Sequence, residues 1–422
     1  MSALTGRLLR HAVSGMIATT SLVALCSSAQ AKEAPPFTTL LRQAADAPRL
    51  DLSEAEVRRA EGLSQQARSR PNPTVSVVTE NFAGSAPYSG FNRAETMLQY
   101  SQPIELGGKR SARIAAGVAG VSAARARDQD TRIAFAYDLA RAYVAAEISD
   151  RRIALAQAVV EEAQSDLRVA RALVGAGRES RLRSLQAETA LNAMTAELEV
   201  TKAARIAAYA RLSALAGTEE PFTSLSESLL DRPGSAPSMG PVDPLASTAY
   251  LAALAEREAA DRRLVAERKR ATPDITASFG VRRLKYEKAT AFMGGISIPL
   301  PIFDRNRGNV AVAVADVQAA EARLAMTRNE VRAEAQAAQA QLLATDARVM
   351  AAENGQATAE ETYRLARIAY EAGKSPLAEL LVARQGLSAA RRVVLDARTA
   401  RFEARAQLAR LQAGTISGEP VQ

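Results

Sequence analysis

From Lys109 to Leu215 the chain has no proline, and its one tight reversal signal is the triplet Gly175-Ala176-Gly177. At helical pitch, Lys109 to Leu173 alone extends roughly 100 Å, several times the length of an ordinary globular helix. The glycines permit a tight turn, and Arg178 to Leu215 returns antiparallel. A hairpin of that reach cannot fold into a compact globule.

The second half repeats the design. A helical run from about Asn309 to Glu371 reaches Gly373, and Leu377 to Leu411 returns. Counting aligns the halves. Ala55, Ala60 and Pro73 meet Ala255, Ala260 and Pro273 at an offset of 200, while Pro103, Gly177 and Leu215 meet Pro299, Gly373 and Leu411 at 196. The slip of four falls in a loop, where length is tolerated. Residues 32–217 and 245–414 are therefore tandem units, each ordered as helix, β-hairpin, long helix, turn and return helix. Residues 218–244, with Pro221, Pro233-Gly234, Pro237 and Gly240-Pro241, form a connector, and 415–422 a tail.

The shorter elements have local signals of their own. A helix is expected from Ser53, as N-cap before Glu54 and Glu56, to the break at Pro71-Asn72-Pro73. Alternation around Val75 and Val77, and again around Leu98 and Tyr100, predicts a β-hairpin closed by Pro103 and Gly107-Gly108. In the second unit a helix from Leu245 ends before Pro273. Asp274 to Val281 and Phe292 to Leu300 then alternate more cleanly across a polar loop, Arg282 to Thr290.

The N-terminus has the form of an export signal. Arg7, Arg10 and His11 precede an apolar run from Ala12 to Leu25, and Ala29-Gln30-Ala31 is an A-x-A site before Lys32, so residues 1–31 are expected to be removed. The apolar run is about 14 residues, short of the ~20 that span a bilayer. Cys26 follows Val23-Ala24-Leu25, a weak likeness to a lipoprotein box, and ordinary cleavage after Ala31 is the expectation. Cys26 and His11 are the only cysteine and histidine. The mature chain then has no disulfide, no thiol or imidazole catalyst and no zinc site of the usual ligands. No enzyme, cofactor or metal-binding role is expected.

The formal charge is +8, yet arginine and glutamate alternate along the helices (Arg328, Glu330, Arg332, Glu334), as on a solvated, ion-paired face. With no basic arm or recognised module, nucleic acid is not an expected partner. There is no tryptophan and aromatics make up 4% of the chain. Alanine-rich helices suit close helix-on-helix packing. The fold class is mainly α with a small β part.

Strands that are apolar on one face and small and polar on the other have the pattern of a transmembrane β-barrel. Four strands cannot close a barrel, since the smallest have about eight. Several chains must pool them. A soluble sheet edge packed by helices remains the other reading of strands this short.

The runs Arg70-Pro71-Asn72-Pro73-Thr74, Ser101-Gln102-Pro103-Ile104-Glu105-Leu106-Gly107-Gly108 and Ile298-Pro299-Leu300-Pro301-Ile302-Phe303-Asp304-Arg305-Asn306 resemble those of the TolC-like outer-membrane efflux proteins. The likeness is to the heavy-metal, CzcC-like branch, and covers essentially the whole mature chain. It implies a homotrimer in the outer membrane of a Gram-negative bacterium, set in outer-membrane lipid. Twelve strands would form one barrel, continued by a twelve-helix α-barrel across the periplasm. A periplasmic adaptor (membrane fusion) protein and an inner-membrane RND pump would complete an efflux path, for which the chain is the exit duct for heavy-metal cations.

The resemblance also assigns positions. Pro71, Pro73, Pro103, Pro273, Pro299 and Pro301 match the β/α transitions. Gly177 and Gly373 match the periplasmic tips, where Arg178, Glu179, Arg181, Arg183, Lys374 and Glu379 become candidates for gating or adaptor docking. The first tip has Arg183 where the second has Glu379, so the resemblance does not imply a uniform acidic ring. Two other classes compete: a periplasmic adaptor, which needs more strands than these, and an exported structural coiled coil, which needs sustained heptads.

Overall fold

The computed structural model describes residues 32–231 and 243–416. The expected signal segment, Cys26, the middle of the connector and the end of the tail lie outside the described residues. The elements run β1 (Lys32–Ala34), α1 (Phe37–Gln43), α2 (Pro48–Ala67), β2 (Thr74–Glu80), β3 (Glu95–Ile104), α3 (Lys109–Gly175), α4 (Arg181–Leu215), β4 (Phe222–Leu225), α5 (Thr248–Arg270), β5 (Ile275–Leu284), β6 (Ala289–Ser297), α6 (Arg307–Glu371) and α7 (Leu377–Leu411). The tandem order is plain: α3 and α6 have 67 and 65 residues, and α4 and α7 have 35 each.

Sheet topology joins the two units. β2, β3, β5 and β6 form one antiparallel sheet in that order, with the unit boundary at the β3–β5 pairing from Glu95↔Leu284 to Ile104↔Ile275. β2 and β6 are its open edges. The helical layer is built the same way: α4 packs on α3, α3 on α7 and α7 on α6, leaving α4 and α6 at the margins. α2, α3, α5 and α6 all attach at one end of the sheet, and the 81–94 loop and 285–288 turn lie at the other.

The main core sits where the N-terminal segment crosses the long helices. Phe37, Leu40, Leu139, Tyr143, Leu212, Phe222 and Phe402 share one buried cluster, with the Phe37 and Tyr143 rings edge to face at 6.1 Å. Elsewhere the buried contacts are narrow and alanine-rich, as where Val331, Ala335 and Ala338 meet Ala404 and Leu408. Small side chains let the backbones approach closely. At Gly117 an added Cβ would lie 3.0 Å from Ser64 Cα on α2.

Several local expectations are corrected. The second helix begins at Pro48, with Ala47 as N-cap. Proline suits that first position because its missing N–H has no partner there anyway. Ser53 lies inside the helix, and its hydroxyl donates to Asp128 on α3. β1 and β4 make a parallel two-stranded sheet outside the four-stranded one, so the described residues hold six strands rather than four. β5 continues to Leu284, leaving a turn of 285–288 in place of the longer polar loop, and β6 ends at Ser297, before Ile298 and Leu300. α4 starts at Arg181 rather than Arg178.

Candidate functional sites at the hairpin tips and strand-helix junctions

Both long helices end identically. Gly177 (φ 67°) and Gly373 (φ 69°) adopt left-handed backbone. Gly177 N–H donates to Val174 O (3.0 Å) and Arg178 N–H to Leu173 O (2.9 Å), while Gly373 N–H donates to Tyr370 O (2.9 Å) and Lys374 N–H to Ala369 O (2.8 Å). This closure satisfies terminal carbonyls that the helix cannot.

The tip charges divide into groups. Glu179, in the reversal, pairs with Arg183 in the first turn of α4 (3.8 Å), and Arg183 also donates to Gln186 Oε1 (3.3 Å). Arg178 reaches the second tip, its Nη2 lying 3.5 Å from where a Cβ on Gly373 would be. Arg181, Lys374 and Glu379 are exposed, and no salt bridge joins them to another described residue. Beneath them Tyr370, Leu377 and Leu380 are buried together, with Leu173 of α3 packed against them. The Tyr370 hydroxyl has no hydrogen-bond partner among the described residues. Burial, then the Glu179 carboxylate, pushes its phenol above the ordinary value.

Three turns nearer the sheet lies a buried ionic contact that sequence reasoning missed. Asp166 of α3 pairs with Arg384 of α7, and beside them Arg391 bridges Glu162 (3.6 Å) and Glu360 (3.9 Å). Burial raises the Asp166 carboxyl, against the opposing pull of Arg384 and Arg367. Burial likewise raises Glu162, against Arg391 and Arg384. One signal was available: Arg384 interrupts the stripe Leu377, Leu380, Leu387 at helical spacing, where an arginine must find a partner.

The junctions are locked by polar side chains as well as prolines. Pro71 and Pro73 lie between α2 and β2, Pro273 between α5 and β5, and Pro299 and Pro301 after β6. Pro103 does not close the hairpin as expected but lies within β3 opposite Thr276. It is tolerated because β2 has already ended, at Thr74 opposite Ser101. Gln102 Nε2 donates to Pro71 O (3.0 Å) and Pro103 O (2.9 Å). The free carbonyls at the end of α2 are met by α3: Arg110 donates to Arg68 O (2.9 Å), and Arg113 to Ala67 O (3.0 Å) and Ser69 O (2.8 Å). Arg113 also holds Glu105. Asp274 accepts from Leu106 N–H (3.2 Å) and Lys109 Nζ (2.8 Å), tying the two units together.

Above the junctions, residues opposite one another in the sheet share a face. Val75 faces Tyr100, Val77 faces Leu98, Tyr100 faces Phe279, and Val281 faces Phe292. All of these side chains but the half-buried Val281 are left uncovered; Val75 is 67% and Phe292 74% exposed. The Phe279 and Phe292 rings stack at 6.2 Å. The other face carries Ser76, Gln99, Ser101, Ser278 and Gly295. Among the described residues, no helix is long and apolar enough to cross a membrane and no group of three or more His, Cys, Asp or Glu is placed to hold a metal.

Comparison with known proteins matches this architecture. The model of the family described as outer membrane efflux protein covers residues 41–218 and 247–414. The nickel-cobalt-cadmium resistance protein NccC of Alcaligenes xylosoxydans xylosoxydans is 40% identical over 390 residues, 92% of this chain and 89% of that protein. The nickel and cobalt resistance protein CnrC of Cupriavidus metallidurans is 40% identical over 75% of each chain. The cobalt-zinc-cadmium resistance protein CzcC of the same organism is 31% identical over 81% of each. Among solved structures, the outer membrane protein VceC of Vibrio cholerae superposes with a TM-score of 0.73 at 21% identity, covering 90% of this chain and 96% of that one. The CmeC outer membrane channel of Campylobacter jejuni gives 0.75 at 14%, covering 91% and 87%.

Proposed function

The chain belongs to the outer membrane efflux protein family, and from that premise we propose that three copies close one channel through which heavy-metal cations leave the periplasm. The observation that carries the trimer is the agreement of two sets of open edges. β2 and β6 each have one open edge in the sheet, and α4 and α6 each have one open side in the helical layer. Both marginal helices leave large apolar side chains uncovered, Val200 and Ile206 on α4 and Leu343 and Leu365 on α6. Joining β6 to the next copy's β2, and α6 to its α4, would satisfy ladder and apolar surface together. The uncovered aromatic and aliphatic face of the sheet would then meet lipid.

The cargo reading rests on the metal-resistance relatives. A conduit need not bind its cargo, so heavy-metal cations are substrates in transit, and their selection belongs largely to an inner-membrane RND pump. The tips, farthest from the membrane, are the surface for a periplasmic adaptor protein and for closing the pore. A periplasmic adaptor or exported coiled coil is excluded for the chain itself by its family.

The test is mass in detergent together with conductance in planar bilayers. Trimers that form pores support the reading, and a stable monomer or dimer overturns it. For cargo, deleting the gene should lower the host's tolerance of nickel, cobalt or cadmium; unchanged tolerance of all three would remove the heavy-metal assignment.

A further inference from the structure

The polar face of the sheet, which lines the pore in the proposed trimer, ends at the loop side in three charged residues. Glu80 lies directly opposite Glu95 in the β2–β3 register. Arg282, on the same face of β5 opposite Met97, places Nη1 3.0 Å from Glu95 Oε2. Asn81 Nδ2 also donates to Glu95 Oε1 (3.3 Å). Facing carboxylates on neighbouring strands repel, and Arg282 compensates Glu95 alone. Glu80 is exposed and has no salt bridge with another described residue.

The neighbouring charges are placed differently. Arg283, opposite Thr96 and Thr290, belongs to the apolar face. Arg93 lies over the Tyr286 ring at 4.2 Å, and Lys285, Glu287 and Lys288 stand in the turn above the sheet. On the strands of the polar face itself, Glu80, Glu95 and Arg282 are the charged residues. Each chain thus contributes two carboxylates and one guanidinium to one level of the pore, a net negative girdle at the end away from the helices.

Resting on the exit-duct reading, we propose that Glu80 and the Arg282-held Glu95 are specificity-determining residues, forming a cation-preferring ring at the external mouth, with Arg282 setting its strength. A ring of carboxylates in a narrow, low-dielectric wall raises the local concentration of cations and lowers that of anions. The residue that tunes it is the arginine, because its charge partly cancels the ring.

The experiment measures reversal potentials in planar bilayers under a potassium chloride gradient, for wild type, Glu80→Gln and Arg282→Gln. Screened Coulomb interaction of three charges across a pore predicts changes of about threefold in the cation-to-anion permeability ratio. Glu80→Gln should lower the ratio and Arg282→Gln raise it, opposite shifts that a general distortion of the barrel would not produce. Conducting channels with unmoved reversal potentials in both variants, or shifts in the same direction, would overturn the ring while leaving the duct intact. Absence of channels from correctly inserted wild-type trimers would overturn the duct reading, and the ring with it.

Discussion

Asp166 of α3 and Arg384 of α7 form an ion pair whose side chains are only 10% and 5% exposed, 218 residues apart in the chain. It joins the first hairpin to the second, about three turns from their reversal tips. Removing one partner leaves a buried charge uncompensated, so Asp166→Ala or Arg384→Met alone should destabilise by roughly 3–5 kcal/mol. The double replacement Asp166→Leu/Arg384→Met should return to wild type or exceed it by about 1–4 kcal/mol. Thermal melts of the detergent-solubilised protein check this, and a double variant as unstable as the singles would refute it.

The neighbouring acids set a pH dependence. Folding raises Asp166 and Glu162 above their ordinary values of 3.8 and 4.5, burial being the largest cause. The folded state therefore holds these protons more tightly than the unfolded one. Their contribution to stability is fully present below the ordinary values and is lost as pH rises through the elevated folded ones. Glu162→Gln, which resembles the protonated form, should melt higher than wild type at pH 7 and equally at pH 4. A difference independent of pH would contradict this.

At the far ends of the return helices the two units differ. Gly217 takes φ 68° after α4, and Ala413 takes φ 56° at the equivalent place after α7. The same closing bonds appear, Thr218 N–H to Ser213 O (3.1 Å) and Gly414 N–H to Ala409 O (2.9 Å). Alanine is strained there, so Ala413→Gly should stabilise by about 1 kcal/mol and Gly217→Ala destabilise by a similar amount. Equal and unchanged melting temperatures would show that the strain is relieved elsewhere.

Gly107 and Gly177 share φ 67° but not their surroundings. A Cβ on Gly107 would lie 2.8 Å from Thr272 side-chain atoms, whereas one on Gly177 meets nothing within 4 Å. Gly177→Ala should cost about 1 kcal/mol of backbone strain. Gly107→Ala should cost more, because the β3–α3 junction must also move away from the end of α5. Insertion yield and melting temperature distinguish the two, and equal effects would count against a steric role.

At the tips, Arg181→Ala/Arg183→Ala/Glu379→Ala should leave trimer formation and insertion intact. It should raise single-channel conductance or weaken adaptor binding. Wild-type values of conductance, adaptor affinity and metal tolerance would leave these charges as solvated loop residues.

Much of this protein was legible in order, because its decisive signals are local. An unbroken helical pattern gave the two long helices, left-handed glycines gave both reversals, and the spacing of prolines and glycines exposed the duplication. Four alternating segments predicted the strands of the antiparallel sheet. The strand from Lys32 to Ala34 was not legible, since it exists only by pairing with Phe222 to Leu225. Ser53 has the form of an N-cap, but its hydroxyl bonds Asp128, 75 residues away, and the helix starts earlier at a proline. Arg113, Arg282 and Asp274 look like ordinary surface charges until folding brings carbonyl and carboxylate acceptors to the two arginines and the Leu106 N–H and Lys109 ammonium to Asp274. Periodicity and turn chemistry are properties of a few consecutive residues, so the sequence alone determined the elements and their repetition. The pairings that lock junctions, hairpins and neighbouring strands were decided only by the tertiary structure, because a charge finds its partner through the packing of distant segments.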